Sequence, residues 1–263
     1  MKTSFSDDME FSRWCEQASK DPEALKAFRS NPQYASVIPA GTSKQNGQAN
    51  LDRLKAQYPH LLDGVMMDKF LRLQDFGAPP MHEYEGFGKV DPMVFRFVFL
   101  LGRIVEHLGP LSGLSICEIG PGNGVLFKII TDAFPDVRYT FVDLEAPMYF
   151  LKKNVEHYGR ESNVKQYLGC QQVMDQGYLG EDFDLVLSEC AYNECYRETQ
   201  KAYMRKILNR SQRGRILCAD YMWSVNKRTE PHWEHQEIFD NIKHQNKWIQ
   251  EDGDTGQVIW WKP

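Results

Sequence analysis

The sequence predicts an α/β domain whose mostly parallel sheet is covered by helices on both faces, with an antiparallel strand at one edge and a helical extension ahead of it. Three observations predict it. Apolar strand-like runs alternate with helical spacing from about residue 110 onward, which is the grammar of a parallel sheet. ICEIGPGNGVLFKII, residues 116–130, runs from a strand through three glycines into a helix. KWIQ and QVIWW flank the turn EDGDTG near the end, which is the pattern of a hairpin.

The extension is read as residues 1–75 and the main domain as 76–263. From Asp7 to about Arg29 and from Leu51 to Leu73, apolar residues recur at three and four, which is helix spacing. Between them PAGTSKQNGQAN, residues 39–50, reads as a polar connector. FGAPPMHEYEGFGK is a loop rich in Gly, Pro and aromatics. It leads into a helix capped by Asp91 with Pro92 in its first turn, expected to pack on the sheet that follows. The strands then read LSICEIG, RYTFVDL, VKQYLG, DFDLVLSE and GRILCADY before the final hairpin.

Composition excludes several partners. A chain of 263 residues with a net charge of -5 and no basic run longer than Lys152-Lys153 or Lys227-Arg228 has no field for a polynucleotide. The opening MKTSFSDDMEFSRW lacks the basic start and apolar run of a signal peptide, and the apolar run Met93 to Leu108 carries Arg96, Arg103 and Glu106 and is too short to span a bilayer. Six cysteines without a C-x-x-C pair read as free thiols in a reducing compartment, so a cytoplasmic protein is expected. The sequence leaves a homodimer open.

In sheets of this kind ligands bind at the carboxyl ends of the strands, so the glycine loop is the place to look. The nicotinamide fingerprint G-x-G-x-x-G would need glycine where Val125 stands, and fails there. Glu118, two residues before Gly120, suits an ammonium better than a pyrophosphate. Asp143 ends the second strand 23 residues past Gly120, where an acid accepts hydrogen bonds from ribose hydroxyls. Together they point to a nucleoside joined to an amino acid.

E-x-G-x-G-x-G after the first strand with an acid at the end of the second resembles the class I S-adenosylmethionine-dependent methyltransferases. The resemblance implies a Rossmann-like seven-stranded sheet, the final hairpin matching the reversed seventh strand. It implies S-adenosylmethionine as cofactor, S-adenosylhomocysteine as product, and cofactor roles for Glu118, Gly120, Gly122, Gly124 and Asp143. Pro121, Asn123 and Leu144 join the set by position, with Ser188 or Glu189 also near the cofactor. More narrowly, FGAPPMHEYEGFGKVDP, LSGLSICEIGPGNG, FVDLEAPMYFLKKNV and FDLVLSECAYNE in that order, roughly residues 74–225, are similar to sugar O-methyltransferases associated with surface polysaccharide synthesis. That resemblance implies a sugar or glycan-precursor hydroxyl as acceptor. The chain departs from it at Pro121, Asn123 and AYNEC, which puts the acceptor in question and leaves another small molecule, such as an amine, or a non-catalytic cofactor-binding protein as alternatives.

A hydroxyl acceptor needs a base, whose contribution is typically ~10² to 10⁴ in rate. SECAYNECY follows an apolar strand and so emerges at the rim. There Glu194 is the preferred base and Asn193 orients the acceptor, with Tyr192 beside them and Asp220 and Tyr221 at the end of the next strand. MHEYEGFGK reads as a lid in which His82 is the rival base and Tyr84 and Glu85 meet the acceptor. His232 and His235 would share a face if their stretch is helical, with Glu234 or Asp240 near. The spacing matches no known zinc motif, so no metal is assigned, though a divalent ion stays open. Trp260 and Trp261 point to opposite faces of a strand, so at most one is expected in the core.

Overall fold

Ser115–Ile119 (β3) is buried along its whole length, as a strand must be when helices cover both faces of its sheet. The computed structural model describes residues 3–4, 11–32, 34, 43–177, 179, 182–219, 232–251 and 256–263. Its main sheet has seven strands in the order β5-β4-β3-β6-β7-β9-β8, with β4 at Arg138–Asp143, β5 at Val164–Gly169, β6 at Phe183–Glu189, β7 at Ser211–Ala219, β8 at Asn246–Glu251 and β9 at Gly256–Lys262. β3, β4, β5, β6 and β7 run parallel, and β9 is antiparallel to both of its neighbours. The fold is the Rossmann-like α/β architecture read from the sequence.

Alternation along the strands divides the core. Ile116, Leu185, Leu187, Leu217 and Trp260 face one layer, which holds Pro92–Leu108 (α5), Val125–Ala133 (α6) and Glu145–Tyr158 (α7). Cys117, Val186, Ile216, Cys218 and Trp261 face the other, with Cys170–Asp175 (α8), Arg197–Lys206 (α10) and His235–Asn241 (α11). Here one expectation is corrected. Trp260 and Trp261 do point to opposite faces, yet both are fully buried, because the sheet is covered on each side even at β9.

The first helical stretch is broken in two. Phe11–Lys20 (α1) stops at Asp21, whose carboxylate accepts from the Glu23 and Ala24 amides and caps Pro22–Lys26 (α2); residues 7–10 lie outside the described ones. Residues 39–42 of the expected connector also lie outside. The rest of it is helix: Ser43 accepts from the Asn46 amide and starts Lys44–Gln57 (α3). Gly47 is there for proximity, since a Cβ would come within 1.9 Å of the Tyr84 hydroxyl oxygen. Pro59 ends that helical run, and Gly64–Leu71 (α4) resumes it.

α1 packs on α7 through Trp14 against Phe150; Phe28 and Tyr34, from beyond α2, join the same aromatic cluster, and α3 packs on α5. The expected cap is present, with Asp91 accepting from the Met93 amide at 3.0 Å. Asp91 also pairs at 2.5 Å with Arg29, which fastens the extension to α5. Burial pushes the Asp91 carboxyl up despite the guanidinium beside it. Among the described residues no helix is long and apolar enough to cross a membrane.

Candidate active site

β3, β4 and β6 end side by side, and the segments that follow them wall a cavity of about 180 Å³. That is far more than the roughly 10–15 Å³ one water needs, so the cavity suits a ligand. Gly120, Gly122 and Gly124 all adopt left-handed φ, at 67°, 58° and 76°. This lets the loop fold back, the Gly120 amide donating to the Val142 carbonyl at 2.8 Å and the Gly124 amide to that of Pro121 at 2.9 Å. A Cβ on Gly120 would lie 2.0 Å from the Ala191 methyl, so the two loops touch only because this residue has no side chain.

Glu118, Asp143, Glu189 and Glu194 line the cavity, as do Gly120, Pro121, Gly122, Asn123 and Leu144. Glu118 is 3% exposed and its Oε2 has no hydrogen-bond partner. Burial, with Asp143 nearby, pushes its carboxyl up to about 8. Burial likewise raises Asp143 to about 7; the Leu144 amide, donating at 2.8 Å, and that of Gly122 pull it down, while Glu194 and Glu145 add to the rise. Glu189 pairs with the buried Arg215, itself stacked over the Trp260 ring. The chemistry of this wall asks for a cation. It fits the ammonium and sulfonium of S-adenosylmethionine, with Glu118 and Asp143 as the groups that would hold the amino-acid and ribose ends.

Several residues expected at the rim have other work. Ser188 is fully buried; its hydroxyl donates to the Ile119 carbonyl at 3.1 Å and accepts from the Tyr192 amide at 3.0 Å, so it ties two loops together. Tyr192 is core, its hydroxyl donating to the Gln200 carbonyl at 2.9 Å. Asn193 is fully buried and is not part of the cavity wall. Of the segment Ala191–Glu194 (α9), Ala191 and Glu194 line the cavity. His82–Tyr84 (β1) and Gly88–Val90 (β2) form a hairpin, but His82, Tyr84 and Glu85 do not reach this cavity. Tyr84 is 3% exposed and donates to the Lys44 carbonyl at 3.3 Å, while Glu85 is exposed in the turn. Asp220 and Tyr221 lie outside the described residues. His232 precedes α11, which begins at His235, so the two imidazoles share no helix face, and among the described residues no cluster could hold a metal.

The wall also has members the motif reading did not include. Met93, Arg96 and Phe97 come from α5, and Phe11 and Ser4 from the extension. Ser4 makes an antiparallel bridge with Cys195, and the Tyr196 amide donates to the Thr3 carbonyl at 3.0 Å. The one sequence signal for any of these is Arg96, a charge inside the otherwise apolar first turns of α5.

A family model described as lysine methyltransferase matches residues 91–245, more than half of the chain. No curated protein matches it in sequence. Among solved structures, a Nostoc punctiforme protein named as an O-methyltransferase candidate is 17% identical over 62% of this chain and 55% of its own, with a TM-score of 0.47. The chain thus spans little more than half the length of that protein. An S-adenosylmethionine-dependent methyltransferase from Clostridium acetobutylicum is 14% identical over 62% of this chain and 88% of its own, with a TM-score of 0.45. The pyocyanin biosynthetic protein PhzM is 14% identical over 94% and 69%, also with a TM-score of 0.45.

Proposed function

The chain belongs to the lysine methyltransferase family, and from that premise we propose that this S-adenosylmethionine-dependent methyltransferase places its methyl group on the amino nitrogen of a lysine-like acceptor. The observation that carries the reading is the acid content of the cavity: Glu118, Asp143, Glu194 and the Arg215-paired Glu189 line it, against Arg96 alone among cations of the described wall. Such a cavity favours a cationic guest, whose entry draws Glu118 and Asp143 into their charged forms, over an anionic one such as a nucleotide-linked sugar.

S-adenosylmethionine, when bound, supplies a methyl group on a sulfonium, open to in-line displacement. We assign the Glu118 carboxylate to its ammonium and Asp143 to its ribose hydroxyls. Glu194, at the end of α9, is assigned to the acceptor, whose ammonium it attracts and orients before the proton leaves to water.

A second reading keeps the sugar hydroxyl as acceptor, because Glu194 lines the cavity and could serve as its base. Methyl-transfer assays on lysine-containing peptides and on free and nucleotide-linked sugars, with wild type and Glu194→Gln, separate the two. The amine reading expects peptide methylation with a raised KM and a kcat within a few-fold in the variant. Sugar methylation in the wild type, with kcat lowered ~10²-fold or more by Glu194→Gln, would replace it with the hydroxyl reading.

A further inference from the structure

α5 carries Met93, Arg96 and Phe97 at spacings of three and four, so a single face of the helix presents all three to the cavity. The opposite face, with Val94, Phe95 and Val98, is fully buried in the core. Arg96 is half-buried, and its guanidinium lies over the Phe97 ring, 5.6 Å from the centroid. The aromatic platform holds the flat group against the wall.

The cofactor's amino-acid end carries two opposite charges in a wall lined by four carboxyl groups, one of which, Glu189, is paired with Arg215. Its ammonium is served by Glu118 and Asp143, which give up their protons as it binds. Its α-carboxylate is not: next to Glu118 and Asp143 it would meet only repulsion unless a donor faces it. A guanidinium offers two parallel N–H groups that match a carboxylate. We infer that Arg96 binds the α-carboxylate of the cofactor's amino-acid end and so fixes which way round that end lies. The inference rests on the reading of this cavity as the S-adenosylmethionine site.

The test is calorimetric titration of wild type, Arg96→Gln and Arg96→Lys with two probes. S-adenosylhomocysteine carries the α-carboxylate; 5′-methylthioadenosine keeps the nucleoside and the thioether but lacks the amino-acid end. The expected result is S-adenosylhomocysteine weakened about 10- to 100-fold by Arg96→Gln, the size of a lost charged hydrogen-bond pair, with partial recovery in Arg96→Lys. Methylthioadenosine should bind all three alike. Equal weakening of both probes would mean that Arg96 only packs the wall, and unchanged S-adenosylhomocysteine binding would mean that it faces the acceptor; either overturns the inference. Wild-type protein that binds neither probe removes the cofactor reading itself, a failure visible before any variant is compared.

Discussion

Asp132 and Glu118 are both buried carboxylates, 4% and 3% exposed, at opposite ends of the glycine loop and its helix, and they are treated in opposite ways. Asp132, on α6, receives Lys128 from one turn earlier and Arg160 at 2.7 Å from beyond α7. Glu118 faces a cavity with Asp143 as neighbour, and its Oε2 has no partner. Burying a carboxylate beside cations is a way to hold a helix in place. Burying two together, with no ion pair to either among the described residues, raises both pKa values and leaves a deficit that a bound cation removes. The first cluster has the partners of a structural pair and the second the open face of the proposed binding site, and the difference is legible from the partners alone.

Breaking the first cluster should have the largest effect on stability. Asp132→Ala strands the buried Lys128 and should cost about 3 kcal/mol or more in denaturant unfolding, while S-adenosylhomocysteine affinity of the folded protein stays the same. Glu118→Gln should do the reverse: ligand affinity falls about tenfold or more, while the unliganded protein melts no lower than wild type. A Glu118→Gln protein that loses stability and keeps its affinity would erase the distinction.

Acidity sharpens the same contrast. Glu118 and Asp143 are raised to about 8 and about 7, above the 4.5 and 3.8 of their unfolded states, so the folded chain holds more protons than the unfolded one in between. Stability of the unliganded protein should therefore fall as pH rises from about 5 through 8. S-adenosylhomocysteine affinity should rise over the upper part of that window, because its ammonium favours the deprotonated carboxylates. Melting scans and titrations at pH 6, 7 and 8 check both signs, and Glu118→Gln should flatten both trends. The smallest effect is expected at Tyr84→Phe, where one hydrogen bond to the Lys44 carbonyl is lost: about 0.5–1.5 kcal/mol in unfolding and no change in turnover.

What could be read from the sequence follows the range of the interactions. The sheet and the glycine loop are local patterns: an apolar strand, residues free to take positive φ, then a helix, each visible within fifteen residues of chain. Asp143 follows because a parallel sheet brings successive strand ends to one edge. Where Tyr84 packs is set by α3, forty residues earlier, so the hairpin was legible and its distance from the cavity was not. Ser188 and Tyr192 were placed near the rim by chain position, yet their side chains turn inward to bond Ile119 and Gln200. Trp261 was expected to compete with Trp260 for a single core, whereas α11 covers its face as well. Arg96 stood in plain view, but only the helix packing shows which way its face looks.

The pairing of Thr3 and Ser4 with Tyr196 and Cys195 bears on how the protein is handled. Whatever chain is joined ahead of Met1 in an expression vector begins only a few residues from Ser4, a member of the proposed site's wall. A purification tag placed there crowds the cleft, whereas one attached after β9 leaves from the part of the sheet that carries none of the cavity wall. Assays meant to identify the acceptor are best run on protein tagged at that far end.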